Sequence, residues 1–136
     1  MQGANGNPAL IPAGFDIKWV LQAAEGDKNQ ETNLGRTVST DIDLAKLGRG
    51  GAWDLQRLSG KFDPRFIDSA TILIGMYAAA RGISRNDILN IENNVARTSK
   101  YAKGTPMDST YTHLPARNVT NTDIGMRLVQ SGAIVY

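Results

Sequence analysis

The stretch from Asp63 to Gly82 constrains this chain more than any other. Asp63-Pro64 is a strong helix start, a side-chain cap followed by a proline whose missing N–H costs nothing in a first turn. From there Phe66, Ile67, Ala70, Ile72, Leu73, Ile74, Met76, Tyr77 and Ala78 to Ala80 cover nearly the whole circumference of a helix running to Arg81. A helix that is apolar all round has to be surrounded by other elements. Gly82 ends it as a left-handed cap, and Ser84, with Asp87 three residues on, caps a second helix in which Ile88, Ile91 and Val95 repeat on one face. These two helices form the expected hairpin core.

Around this pair, Phe15, Trp19, Val20 and Ala23 predict a helix over 15–25 with Gly26 as its stop. Arg36-Thr37-Val38-Ser39 has the β-branched character of a short strand. Thr40 then caps a helix with Asp41 and Asp43 in its first turn, Leu44 and Leu47 on its face and Gly48 at its end. Residues 100–120 contain Gly104, Pro106 and Pro115 without periodicity, and a loop above ~12 to 15 residues is usually functional or disordered. Thr120 or Asn121 starts a last helix with Ile124, Leu128 and Val129 inward, Gly132 closes it, and Ala133-Ile134-Val135-Tyr136 reads as a short strand. The expected fold class is mostly α, about five helices around a central buried helix, with at most a small β element.

The length of 136 residues suits one domain at about 150 residues each. Gly3, Asn5, Gly6, Asn7 and Pro8 make residues 1–13 linker-like, as if a domain had been taken from a longer protein with Met1 added, and 14–136 reads as the single domain. The chain has no cysteine, which excludes thiol nucleophiles, disulfides and thiolate metal sites. His113 is the only histidine, so zinc sites with several histidines are excluded as well, and neither a metal nor a cofactor is expected. Fifteen basic against thirteen acidic residues give a net charge of +2, a weak lean toward anionic partners. No apolar run approaches the ~18 residues of a membrane span. Gly48-Arg49-Gly50-Gly51 lacks the Lys-Ser/Thr of a phosphate loop, and Arg65, Arg81, Arg85 and Arg97 are scattered rather than striped. Asn118-Val119-Thr120 matches a glycosylation sequon, a pattern short enough to arise by chance.

Three constellations carry candidate chemistry. His113 lies in Tyr111-Thr112-His113-Leu114-Pro115-Ala116-Arg117, with Lys100, Lys103 and Asp108 before it, and these residue types suit RNA cleavage: a histidine moves protons while cations neutralise the phosphate. Asp54 follows Trp53, and a carboxylate beside a large apolar ring is partly desolvated. Glu25 with Asp41, Asp54 or Asp123 offers the two carboxylates that glycan hydrolysis needs. Each has a structural alternative: a surface histidine, a turn cap beside a core tryptophan, a solvated helix end.

Gly50-Gly51-Ala52-Trp53-Asp54-Leu55-Gln56 resembles the Gly-Gly-x-Trp-Asp-x-Lys element of bacterial polymorphic toxin type 44 domains. Gly75-Met76-Tyr77-Ala78-Ala79-Ala80-Arg81-Gly82-Ile83-Ser84 followed by Ile88-Leu89 is similar to that family's Gly-x-x-Gly-x-Ala-x-Gly-Phe-Ser helix end and next helix, and Asp123-Ile124 with Gly132 to its Asp-x-x-Ile-x-x-Gly ending. The resemblance covers 45–135. Gln56 stands where the family has lysine, and Thr71, Ile72, Leu73 and Ile74 replace a polar Asn-Phe-His/Asn-Tyr run, so only Trp53, Asp54 and Asp123 carry over.

The resemblance implies the C-terminal effector domain of a secreted antibacterial toxin, delivered into a competing cell and neutralised by a cognate immunity protein. The leading expectation is a monomeric, metal-independent nuclease acting on RNA in the cytoplasm. His113 would be its general acid or base, Arg117 and Lys103 its phosphate clamp, Asp54 or Asp108 the orienting carboxylate, and Trp53 and Gln56 structural neighbours. The runner-up is a hydrolase of cell-wall glycan in the periplasm, using Glu25 and Asp54, with Asp123 as a further candidate. A third reading is a non-enzymatic interaction or delivery module docking through 100–120.

Overall fold

The computed structural model describes residues 3, 9–30, 38–48, 50–97 and 106–134. Within them the protein is mostly helical: α1 (Ile17–Asn29), α2 (Val38–Leu47), α3 (Ile67–Arg81), α4 (Arg85–Arg97) and α5 (Ala116–Gln130), with a 3-10 turn Pro64–Phe66 leading into α3. The β content among the described residues is one isolated antiparallel bridge between Met107 and Pro115.

α3 is the central helix. It packs against α1, α2, α4 and α5, and its pairing with α5 is the most extensive in the fold. Ile72, Leu73, Met76, Tyr77 and Ala78 are fully or almost fully buried, as the apolar circumference requires. The α3–α5 pairing depends on two glycines at the crossing: a Cβ on Gly75 would collide with the Thr122 carbonyl oxygen, and one on Gly125 with that of Ile72. With no side chain in the way, the two backbones touch. Asp63 starts the segment as expected, its carboxylate accepting from Arg65 N at 3.0 Å, and Gly82 ends it at φ +88°.

Several boundaries differ from the sequence reading. α1 is capped by Asp16 and runs through Gly26 to Asn29, because Asp27 is buried and accepts a hydrogen bond from Tyr77 on α3, which holds the last turn in place. Val38 and Ser39 open α2 instead of forming a strand, while Arg36 and Thr37 lie outside the described residues. Thr40 does not cap that helix: it is its third residue, fully buried, and accepts from Arg81 Nε at 2.8 Å. α5 begins at Ala116, four residues before Thr120, since Pro115 at φ −55° sets up the turn and its carbonyl accepts from Asn118 N. Residues 116–120 are therefore helix, not loop. Ala133 and Ile134 form no strand, and Val135 and Tyr136 lie outside the described residues. Ile11 of the linker-like segment packs on the core, and the Leu10 carbonyl accepts from Ser69.

Candidate active site

The turn after α2 is built by the Gly-Gly-x-Trp-Asp element. Gly50 has φ +77°, and a Cβ on Gly51 would strike the carbonyl of Lys46, so the chain folds back hard against the end of α2. Trp53 N–H then donates to that same Lys46 carbonyl at 2.8 Å, and Lys46 Nζ sits 4.6 Å above the indole. Asp54 is buried, and its carboxylate accepts from Gly50 N at 2.9 Å, Gln56 N at 3.1 Å and Arg57 Nη1 at 2.9 Å. Charge-assisted bonds of this kind make Asp54 the organiser of the turn, and the ion pair with Arg57 supplies its countercharge.

This turn forms one wall of a cavity of about 450 Å³. The other walls come from Leu44 and Leu47 of α2, Ile67, Ala70, Thr71 and Ile74 of α3, Ile88, Ile91, Glu92 and Val95 of α4, and Leu114, Arg117 and Asn118 at the start of α5. Asp54, Gln56, Arg57 and Phe62 line it from the turn side. The lining is chiefly apolar with a few convergent polar groups, the usual composition of a small-molecule or substrate site.

Glu92 is the unexpected member. Part of the residue reaches the surface, but its carboxyl is buried against the Thr122 hydroxyl of α5. That burial pushes the carboxyl up to about 8, the charge of Asp123 adds to the effect, and the Thr122 hydroxyl, 2.9 and 3.1 Å from its two oxygens, works the other way. A carboxylic acid that keeps its proton near neutral pH is equipped to act as a general acid. The sequence carried the signal. Ile88, Leu89 and Ala96 are the buried residues of α4, and Glu92 falls at i+4 from Ile88 and i−4 from Ala96, on the face where a charge is poorly solvated, whereas Val95 of the expected stripe is half exposed.

Of the residues singled out from sequence, three share this cavity and the other described ones do not line it. Arg117 and Gln56 line the cavity with Asp54, whereas His113 is exposed and its backbone N–H donates to Asn93 Oδ1 at 2.9 Å. Leu114, one residue on, reaches the cavity wall; His113 does not line it. Asp108 is a turn residue accepting from Tyr111 N and Thr110 N, both at 2.9 Å, and these two bonds hold its carboxyl below the usual range. Glu25 is exposed on α1, away from the cavity. Asp123 holds Arg85 at 2.6 and 3.1 Å in a separate hollow of about 590 Å³ between the α3–α4 corner and α5. Trp53 packs half-buried against the core beside Asp54. Lys100 and Lys103 lie outside the described residues.

A second buried polar group joins α1, α2 and α3. Tyr77 Oη–H donates to Asp27 Oδ2 at 2.6 Å, Asp43 pairs with Lys46 at 3.1 Å, and Arg81 donates to Thr40. Burial and then the neighbouring Asp27 push Asp43 up to about 6. Burial pushes Asp27 up too, but hydrogen bonds from Asp43, Tyr77 and Ser39 and the charge of Arg81 together hold it below its ordinary value. The tyrosine is driven upward by burial and by Asp27, so it stays a donor. None of these side chains lines the cavity beside Asp54, and the group reads as the clasp between three helices.

Among the described residues no three histidine or acidic side chains come together to hold a metal ion, and no helix is long and apolar enough to cross a membrane. Compared with known proteins, the chain matches no family model, no curated protein and no solved structure.

Proposed function

We propose that this chain is an effector domain that hydrolyses a cell-wall glycan, with Glu92 as its general acid and Asp54 as its charge-stabilising carboxylate. One observation carries the reading: Glu92, whose carboxyl burial drives toward the neutral form, and Asp54, whose carboxylate is held by an ion pair, line the same cavity. Glycoside hydrolysis needs that division of labour. Glu92 gives its proton to the glycosidic oxygen as the C–O bond breaks, Asp54 stabilises the positive charge developing on the sugar ring, and the water that adds to the ring returns a proton to Glu92.

The cavity favours a glycan over RNA. A polynucleotide carries a charge at every residue and calls for a cationic track, whereas among the described residues this wall holds two guanidiniums, one of them already paired with Asp54, and His113 does not line it. The effector class, the delivery into a competing cell and the cognate immunity protein follow from the type 44 resemblance, and a wall-directed enzyme would act in the periplasm.

Compartment-controlled expression tests the proposal. Growth arrest only when the chain carries an export signal, and lost in Glu92→Gln, is the expected result. Arrest from the cytoplasm with RNA loss that depends on His113 would replace it with the nuclease reading. No arrest from either compartment would contradict both and leave an interaction module.

A further inference from the structure

Resting on the hydrolase reading, we infer that Arg117 selects a glycan that carries a carboxylate substituent, receiving that group at the mouth of the cavity while the sugar backbone occupies the apolar wall.

Among the described residues four ionisable side chains line the cavity: Asp54, Arg57, Glu92 and Arg117. Asp54 and Arg57 neutralise each other at 2.9 Å. Glu92 bears no charge while it keeps its proton. Arg117 is left over, exposed in the first turn of α5, with no ion pair or hydrogen-bond partner among the described residues. A lone guanidinium beside an apolar wall presents a planar set of donors, and its best complement is a carboxylate taken up in bidentate fashion. A wholly neutral glycan would leave this cation unanswered. A chain charged at every residue would find only this one unpaired cation among the described residues of the lining. A sugar chain with one acidic substituent per repeat satisfies both limits.

The walls give the rest of such a ligand somewhere to lie. Phe62 is about half exposed at 52%, and Arg57 stacks 5.2 Å from its ring centroid, so an aromatic face backed by a cation lies on the same cavity that Arg117 borders. Sugar rings pack their C–H faces on surfaces of this type, which buries apolar area without requiring a charge.

The test uses two probes of the same backbone: alternating amino-sugar strands freed of peptide, which bear lactyl carboxylates, and the same strands with those carboxylates converted to amides. Wild type is expected to show a KM about tenfold lower for the carboxylate strands, the scale of one charge-assisted contact at a rim. In Arg117→Gln the ratio of the two KM values is expected to collapse to near one, and Arg117→Lys to keep part of it. Glu92→Gln, expected to have no turnover, is expected to retain the binding preference, measured by calorimetry. Equal KM values for the two strands in wild type, or an unchanged ratio in Arg117→Gln, would overturn the role of Arg117 while Glu92-dependent turnover left the hydrolase reading in place. Absence of both turnover and binding would overturn the two together.

Discussion

Glu92 of α4 and Thr122 of α5 are joined through side chains alone: the Thr122 hydroxyl, fully buried, lies 2.9 and 3.1 Å from the two carboxyl oxygens. The bond orients the acid and ties α4 to the helix that clasps α3. It also favours the ionised form, so it tempers what burial does.

Thr122→Val removes that donor with little change in the side chain's shape. Glu92 is then expected to titrate above its present value of about 8, whereas Thr122→Ser leaves it near there. Carboxyl carbon shifts followed by NMR across the alkaline range read this directly. A value unmoved in Thr122→Val would show that the hydroxyl does not act on Glu92.

The same acid is a burden on stability. Its folded value is raised above the ordinary 4.5, so the contribution of the protonated form is fully present below pH 4.5 and is lost as pH rises through about 8. At pH 7 linkage puts the cost at ~3 kcal/mol. Glu92→Gln, neutral at every pH, is expected to raise the unfolding free energy at about pH 7 to 8 by a substantial part of that and to make little difference near pH 4. Urea unfolding under the two conditions checks it. Stability and activity would then move in opposite directions at one residue, as they do at functional sites.

The clasp between α1, α2 and α3 has its own pH signature. Asp43, raised to about 6, contributes stability that is complete below pH 3.8 and fades as pH rises through 6. Asp27, held low, contributes above 3.8 and loses that only as pH falls through its folded value. Tyr77→Phe strips the buried Asp27 of its 2.6 Å donor, an expected loss of about 1–3 kcal/mol. Asp43→Asn should flatten the slope of stability expected of the wild type between about pH 4 and 6, apart from the share that Glu92 supplies. Denaturation curves at several pH values separate the two.

The α3–α5 crossing tolerates no side chain. Gly125→Ala places a methyl group against the Ile72 carbonyl, so the helices must part, at a cost of ~3 kcal/mol or more, with a matching fall in melting temperature. The neighbouring Met126→Ala acts by a different route, since that buried side chain would leave a cavity instead of a clash. Full stability in Gly125→Ala would contradict the crossing.

The helices that could be read from sequence were those with local signals. Asp63-Pro64 and Gly82 bracket α3, and its unbroken apolar circumference announces a central element. The boundaries that moved depend on partners far along the chain: α1 passes Gly26 because Tyr77 takes hold of Asp27, and Thr40 belongs to α2 because Arg81 reaches it. The site divided in the same way. Asp54 was visible through its turn, but its place on one cavity with Glu92 required α4 to be folded near the end of α2. Glu92 showed only as an irregularity in a stripe of isoleucines, and Arg117 gained its place when α5 began at Ala116 and turned that residue onto the cavity. His113 is exposed and does not line that cavity.

Release of reducing sugar ends from purified cell wall, by the wild-type protein and by Glu92→Gln across neutral and alkaline pH, tests the role of Glu92 most directly. Wild type is expected to release sugar ends at a rate that declines as pH rises through about 8, where Glu92 gives up its proton, and the variant to release none at any pH. Release by Glu92→Gln equal to wild type, or intact wall in every sample, would contradict Glu92 as the acid of a wall hydrolase.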